Sequence, residues 1–205
     1  MTITLYGSIR SRANRNIWLL EETGLPYEQV NILPVDAPDS AELAAVNPFR
    51  LVPALKDGAV TLFESIAINL YLAKKAGGTI GPADAAEEGQ MLSWSFWAVS
   101  ECEPHALALA LHSYMLPQEK RDPAKLAPAL AAIMKRLPGL ETHLQTQDYL
   151  VGNRFTVADV NVGAILGYLT AAKVDLSAFP KIASWLARLA DRPAAKEVAA
   201  RRMAG

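Results

Sequence analysis

Glu64 and Ser65 form a pair of adjacent side chains that could recognise a charged small molecule. Ser65 precedes an apolar, helix-forming stretch, so it offers a hydroxyl and free backbone N–H groups that suit a carboxylate. The neighbouring Glu64 carboxylate can bind an ammonium group. The pair could therefore bind a molecule that carries both charges. The alternative is that Ser65 only caps the helix while Glu64 is solvated.

Two hydroxyl groups near the N-terminus could stabilise an anion. Tyr6 ends the first predicted strand, and Ser11 lies at the start of the first predicted helix. A hydroxyl donor beside the positive end of a helix stabilises negative charge. Each residue also has a purely structural explanation, Tyr6 as a core aromatic residue and Ser11 as a helix cap.

These side chains lie in the first 76 residues, where strand and helix patterns alternate. We expect the first two strands to pair in parallel through the intervening helix. Asp57-Gly58 predicts a hairpin that extends the same sheet. Gly24, followed by Pro26, is expected to end the first helix. The predicted strands are 2–6, 27–32, 53–56 and 60–63, and the predicted helices are 11–23, 40–45 and 65–76.

Beyond Gly77 and Gly78 the sequence predicts helices only. The first, 85–114, is apolar almost all round, which predicts burial on every side by its own domain and a partner subunit. We therefore divide the chain into an α/β domain, residues 1–77, a linker, 78–85, and an all-helical domain, 86–205. The other predicted helices are 122–146 with a kink at Pro138, 156–172, 179–189 and 194–203.

Composition excludes several classes of protein. The chain has 20 Lys and Arg against 21 Asp and Glu, so its net charge of −1 gives no support for nucleic-acid binding. Cys102 is the only cysteine, so no intrachain disulfide forms and a cytoplasmic location is favoured. The sequence contains no apolar run of about 18 residues and no basic start typical of a signal peptide. We therefore expect no membrane association.

Three segments together resemble the cytosolic glutathione S-transferases of bacterial type. Residues 47–55 are similar to the family's Asn-Pro-x-Gly-x-Val-Pro-x-Leu segment, and residues 64–68 to its Glu/Gln-Ser-x-Ala-Ile segment. Residues 155–159 match its Phe-Thr-x-Ala-Asp helix-capping motif. The resemblance covers almost the whole chain. It implies a thioredoxin-like α/β N-terminal domain joined to an all-α C-terminal domain.

The resemblance also implies a glutathione site. In the family, the Val52-Pro53 position is a cis-proline turn whose Val52 N–H and C=O pair with the cysteinyl backbone of glutathione, like a short added strand. An ordinary proline at a strand entry is the alternative. Glu64 and Ser65 would then bind the γ-glutamyl zwitterion.

The glycine end of this site departs from the family pattern. Arg50 stands where the family usually has Gly, and Leu51 where a Lys, Arg or Gln often contacts the glycine carboxylate. Arg50 either takes over that contact or is solvated. The substrate-binding residues expected from the resemblance are Arg50, Leu51, Val52, Pro53, Glu64 and Ser65.

The resemblance assigns the catalytic hydroxyl to either Ser11 or Tyr6. A free thiol titrates near 8.5, and lowering its pKa by about two units requires roughly 2.7 kcal/mol of preferential thiolate stabilisation. Serine-type members place a Ser at the start of the first helix, as Ser11 is placed. Tyrosine-type members have a Tyr at the Tyr6 position. We favour Ser11 as the activator.

Other candidate residues are given structural roles. Thr156 and Asp159 are spaced to form a capping box. Glu101 and His105 lie four residues apart but lack a third ligand at useful spacing, so no metal is expected. Cys102 is predicted to be an inert core residue.

The expected function is that of a glutathione transferase. Glutathione is the co-substrate, and its thiolate attacks a small hydrophobic electrophile in a detoxification reaction. The family forms homodimers, so a homodimer is expected here. One alternative is a glutathione-dependent disulfide reductase or peroxidase, although the lack of a Cys near the first helix fits poorly with the Cys-based redox members of the family. The other is a non-catalytic, transferase-like protein-interaction module.

Overall fold

A computed structural model describes residues 2–204 and divides them into two compact units. The first unit comprises the residues up to Pro82 together with the segment from Asp191 onward. The second, the helical unit, is Ala83–Ala190. The domain bounds 1–77 and 86–205 follow from where the predicted strands end and only helices continue, and they stay a prediction. By packing, the C-terminal segment groups with the first unit.

The sheet of the first unit has four strands: β1 (Ile3–Tyr6), β2 (Tyr27–Val30), β3 (Ala54–Asp57) and β4 (Val60–Phe63). Their spatial order is β2-β1-β3-β4. β1 pairs in parallel with β2 and antiparallel with β3, and β3 forms a hairpin with β4. This order and these directions confirm the predicted thioredoxin-like arrangement.

The helices of the first unit are α1 (Ala13–Thr23), α2 (Ala41–Ala44), α3 (Ser65–Ala76) and, after the helical unit, α10 (Pro193–Ala204). α1 packs against α3 and against α10. Gly24 ends α1 as predicted: its N–H bonds the Leu20 carbonyl, and its left-handed φ of 65° turns the following chain away from the helix. Ser40 caps α2 by accepting a hydrogen bond from Leu43 N–H at 3.1 Å.

The helical unit contains α4 (Ala85–Trp97), α5 (Glu103–Ala110), α6 (Leu126–Met134), α7 (Leu137–His143), α8 (Val157–Ala171) and α9 (Pro180–Ala190). A π-helical turn, Ala98–Cys102, joins α4 to α5, and a second, Leu111–Met115, follows α5. The predicted helical run 85–114 is therefore continuous. No helix within residues 2–204 combines the length and apolar character needed to cross a membrane.

The predicted helix 122–146 is wrong as a single element. It is two α-helices, α6 and α7, with a turn at Lys135 and Arg136 between them. Pro138 lies in the first turn of α7, where a missing N–H removes no intrahelical bond. The proline therefore begins a helix and does not kink one.

The sequence predicts that the run 85–114 is buried on every side by its own domain and a partner subunit. Its own chain does not bury it on every side, and the share assigned to a partner stays a prediction. Met91 and Ser95 are buried, whereas Phe96 is 64% exposed. Apolar composition all round a helix does not oblige each side chain to leave solvent, since much of any protein surface is apolar.

The predicted capping box at the start of α8 is present. The buried Asp159 carboxylate accepts hydrogen bonds from Thr156 N–H at 2.9 Å and from the Thr156 hydroxyl at 3.2 Å. It also accepts from Leu150 N–H at 3.1 Å and from Trp185 Nε1 at 2.9 Å. Asp159 therefore joins the start of α8 to α9 and to the preceding loop.

Candidate functional site

The loop between β1 and α1 fixes the Ser11 hydroxyl in a local network. Ser11 Oγ donates to the Ser8 carbonyl at 2.7 Å and accepts from Ala13 N–H at 3.1 Å. The N-cap position of α1 is Arg12, so Ser11 bonds the Ala13 N–H from one residue before the actual cap. Its oxygen therefore lies at the positive end of α1.

Gly7 lies beside two predicted site residues, Ser11 and Val52. A β-carbon added to Gly7 would lie 2.8 Å from Ala13 Cβ, 3.3 Å from Val52 Cβ and 3.4 Å from Ser11 Oγ. The φ of Gly7 is 140°, a value that favours glycine. Ser11 and Val52 therefore both adjoin Gly7, a residue that sequence reasoning did not single out.

Tyr6, the alternative activator, lies in a hydrophobic cluster. Its ring is buried, and burial, assisted by the negative charge of Glu42, raises the pKa of its phenol. This environment matches the explanation of Tyr6 as a core aromatic residue. The other buried members of the cluster are Ile32, Ala37, Leu43, Val46 and Ala54.

The Val52–Pro53 peptide bond is cis. Val52 precedes β3, so it lies outside the hydrogen-bonded ladder of that strand. Buried Asn47 shapes the preceding loop, because its Nδ2 donates to the Leu51 carbonyl at 2.7 Å and its Oδ1 accepts from Phe49 N–H at 3.0 Å. Asn47 begins the family-like segment, yet the sequence alone did not reveal this role.

Arg50 and Leu51 differ in what they offer a ligand. Arg50 is exposed, has a left-handed φ of 51°, and donates from Nη1 to the Pro38 carbonyl at 2.8 Å. The side chain of Leu51 is 62% exposed and carries no hydrogen-bond donor. Of the two departures from the family pattern, only Arg50 can bond a carboxylate through its side chain.

Glu64 and Ser65 occupy the junction of β4 and α3. Glu64 is exposed and holds a φ of 70°, which is unfavourable for a residue with a side chain. Ser65 is the buried first residue of α3, and its Oγ accepts a hydrogen bond from Arg15 Nη1 at 3.3 Å. The Ser65 oxygen therefore accepts a hydrogen bond from the buried Arg15 guanidinium, and the Ser65 O–H can donate to another acceptor.

Three buried polar residues that sequence reasoning missed support Ser65. Arg15 is only 1% exposed. Asn16 Nδ2 donates to the Ser65 carbonyl at 2.8 Å and to Asn69 Oδ1 at 2.7 Å, and Asn69 Nδ2 donates to the Arg15 carbonyl at 3.3 Å. The available signal was the presence of Arg15 and Asn16 directly before the apolar run of α1. Helical periodicity alone does not show that such residues are buried.

Three of the candidate site residues, Ser11, Val52 and Ser65, are connected to the N-terminal part of α1 or the loop before it. Ser11 precedes the helix and, like Val52, adjoins Gly7, while Arg15 in the first turn contacts Ser65. The free N–H groups and positive dipole of a helix start favour bound anions. The arrangement can therefore hold negatively charged groups of a ligand.

Other sequence candidates lie outside this arrangement. Burial raises the pKa of the Cys102 thiol to about 12, so it is protonated and unreactive at neutral pH. Across residues 2–204, His, Cys, Asp and Glu form no group of three or more that could hold a metal ion.

Comparison with known proteins identifies the family. Residues 1–74 match the model of the glutathione S-transferase N-terminal domain, and residues 102–193 match that of the C-terminal domain. Glutathione S-transferase 3 of Zea mays is 33% identical over 97% of this chain and 93% of its own length. Glutathione S-transferase theta-3 of Mus musculus is 30% identical over 92% of this chain and 82% of its own length.

A solved structure agrees with these relatives. The theta class glutathione S-transferase of Xanthomonas axonopodis pv. citri, with glutathione bound, superposes with a TM-score of 0.87 and 30% identity, covering 96% of each chain. The family models, the relatives and this structure each extend over both units of the fold. The chain therefore belongs to the glutathione S-transferase family and is a transferase enzyme.

Proposed function

We propose that the protein binds glutathione at the N-terminal end of α1 and conjugates its thiolate to a small hydrophobic electrophile. The observation that carries this proposal is that Ser11 and Val52 both adjoin Gly7 just before α1, the helix whose first turn supplies Arg15 to Ser65. The similar Xanthomonas enzyme, which has glutathione bound, supports glutathione as the co-substrate.

The two ends of the tripeptide would be recognised by different chemistry. Ser65 would donate its O–H to the γ-glutamyl carboxylate, since its oxygen already accepts from buried Arg15. The exposed Glu64 carboxylate would bind the ammonium group. For the glycine carboxylate we propose Arg50, with Leu51 giving only apolar contact.

The middle of glutathione would lie along the Val52-Pro53 turn. The Val52 N–H and C=O would pair with the cysteinyl backbone. Because Val52 and Ser11 both adjoin Gly7, this pairing would direct the cysteinyl sulfur towards the Ser11 hydroxyl.

Ser11 would stabilise the thiolate by redirecting one hydrogen bond. Its O–H donates to the Ser8 carbonyl in this structure, and it would turn to the sulfur when glutathione binds. The thiol proton leaves to solvent, and the positive end of α1 favours the remaining negative charge. Tyr6 is the less favoured candidate because its ring lies in the hydrophobic cluster.

The chemical step needs no covalent bond to the enzyme. The thiolate attacks the electrophilic carbon, a sulfur–carbon bond forms, and the leaving group departs with its electron pair. Positioning and thiolate stabilisation would supply most of the rate enhancement. We further propose a cytoplasmic homodimer that acts in detoxification, on the basis of the family and the single buried cysteine.

Two measurements test this function. Calorimetry should detect glutathione binding, and the protein should conjugate glutathione to a chlorodinitrobenzene-type electrophile. Exchange activity with a glutathione mixed disulfide, without conjugation, would favour a disulfide reductase. Failure to bind glutathione would indicate a non-catalytic interaction module.

A further inference from the structure

Arg201 connects the C-terminal helix to the second strand of the sheet. Its Nη1 donates to Glu21 Oε1 at 2.8 Å and to the Tyr27 hydroxyl at 3.3 Å. Its Nη2 donates to Gln29 Oε1 at 3.2 Å. The Tyr27 hydroxyl also donates to Glu21 Oε1 at 2.8 Å, so the guanidinium is held on several sides.

Gln29 passes this connection to the loop that carries Ser11. While its Oε1 accepts from Arg201, its Nε2 donates to the Gly7 carbonyl at 2.8 Å. The Gly7 N–H donates to the Val30 carbonyl at 2.9 Å. Both the N–H and the carbonyl of Gly7 are therefore hydrogen-bonded to residues of β2.

Gly7 needs such external bonds because glycine has little conformational preference of its own. No β-carbon restricts its φ of 140°, so hydrogen bonds to its neighbours decide its orientation. The next residue, Ser8, supplies the carbonyl that accepts from both the Ser11 N–H at 2.9 Å and the Ser11 hydroxyl at 2.7 Å. A rotation at Gly7 would therefore move the Ser11 oxygen.

A second contact fixes the start of the C-terminal helix. Arg192, just before α10, donates from Nε and Nη2 to the two carboxylate oxygens of Glu22, each at 2.8 Å. Glu22 also accepts from Trp18 Nε1 at 2.9 Å. The Arg192–Glu22 contact anchors the start of α10 to α1. The helix that carries Arg201 is therefore fixed relative to α1 at this end.

We infer that Gln29 and Arg201 are positioning residues that hold Gly7, and through it the Ser11 hydroxyl, in the orientation required for thiolate stabilisation. This inference rests on the proposed function and extends it to the C-terminal helix. Neither residue would touch glutathione. Their effect is expected on the chemistry of the sulfur and not on the binding of the tripeptide.

The first test uses Gln29→Glu. The new carboxylate keeps an oxygen for Arg201 but places another oxygen against the Gly7 carbonyl, where the donor was. We expect the pKa in the pH profile of kcat/KM to rise by about one unit and kcat at neutral pH to fall about tenfold. The dissociation constant of glutathione, measured by calorimetry, should change less than about twofold, a factor equivalent to a small fraction of one pKa unit. Glu28→Gln, on the exposed side of the same strand, is the matched control and should behave as the unmodified enzyme.

The second test acts on the helix and serves if Gln29→Glu fails to fold. Arg201→Met should shift the same pH profile in the same direction by a smaller amount, and Arg201→Lys should restore part of it. Arg202→Met removes an equal charge from the next position and is expected to leave the profile unchanged. Thermal unfolding of each variant separates lost stability from altered chemistry.

The outcomes separate this inference from the function beneath it. If Gln29→Glu or Arg201→Met melts at a lower temperature but keeps the original pH profile, both residues are only structural and the inference is wrong. If the unmodified protein neither binds nor conjugates glutathione, the proposed function itself fails. A shifted profile with unchanged glutathione affinity supports the inference.

Discussion

The guanidinium of buried Arg15 reaches the hydroxyl of Ser65 across 3.3 Å, although 50 positions separate them in the chain. The contact places a positive charge behind the residue proposed to bind the γ-glutamyl carboxylate. It also uses the Ser65 oxygen as an acceptor, so the Ser65 O–H can donate to another group. In the proposed site, the Ser65 hydroxyl is therefore positioned by a buried charge within the first unit.

Ser65→Ala should weaken glutathione binding. Loss of a hydrogen bond to a charged group costs about 1.5–3 kcal/mol, so the dissociation constant should rise roughly 10- to 100-fold. The buried Arg15 donor also loses a partner, and the free energy of unfolding should fall by about 1–3 kcal/mol. Ser65→Thr keeps the hydroxyl and is the control. Unchanged affinity in Ser65→Ala, measured by calorimetry, would remove Ser65 from the binding site.

Glu64 allows function and backbone strain to be separated. Glu64→Ala and Glu64→Gly remove the same carboxylate and should weaken glutathione binding equally. Only the glycine variant relieves the φ of 70°, a conformation that costs about 1–3 kcal/mol. The glycine variant should therefore unfold at a higher temperature than the alanine variant. For an analogue of glutathione that lacks the amino group, neither substitution should matter, and a persistent effect would contradict the ammonium contact.

Asp159→Asn should destabilise the protein without altering the glutathione site. An amide can keep the acceptor for Leu150 and Trp185 but turns a donor towards the Thr156 N–H, which is then unpaired. A buried, unpaired N–H costs about 1–3 kcal/mol, to be measured by chemical denaturation. The kcat of the folded variant should be unchanged. A large fall in kcat at full folding would show that the capping residue also affects catalysis.

The pair formed by Glu87 and Arg154 predicts a pH dependence of stability. Two hydrogen bonds, at 2.7 Å and 2.6 Å, join the carboxylate to the guanidinium, and with the Ala83 N–H they lower the pKa of Glu87 to about 2 from 4.5. A carboxyl group whose pKa is lower in the folded state than in the unfolded state stabilises the fold at any pH above its unfolded-state pKa. This contribution is lost as the pH falls from about 4.5 towards 2.

Glu87→Gln provides the test of that dependence. Because both side chains retain solvent contact, the unmodified protein should be more stable than the variant by about 1 kcal/mol at neutral pH. This difference should shrink through the window given above as the carboxylate is protonated. Denaturation curves at several pH values measure it. A difference that is constant with pH would mean that the charge of Glu87 does not contribute.

Local patterns were sufficient to predict most of the fold. Gly24 marked the end of α1, Asp57-Gly58 the turn between β3 and β4, and Thr156 with Asp159 the start of α8. Each signal depends on neighbours within a few positions. Pro138 was misread because a proline looks the same in a kink and in a first turn.

Contacts between residues far apart in the chain could not be predicted from the sequence. Neither the burial of Arg15 against Ser65 nor the bond from Gln29 to Gly7 leaves a pattern in nearby residues. The convergence of Ser11 and Val52 also depends on how the sheet brings two loops together. The residues proposed to bind glutathione could therefore be predicted from the sequence, whereas the residues that orient them could not.

The most direct measurement is a titration of the glutathione thiol while it is bound to the enzyme, followed by thiolate absorbance. We expect an apparent pKa about two units below the free value of roughly 8.5. In Ser11→Ala it should return close to the free value, while in Tyr6→Phe it should stay low. A bound thiol that titrates like free glutathione in the unmodified enzyme would contradict the account. So would a Ser11→Ala titration that matches the unmodified enzyme while Tyr6→Phe is shifted.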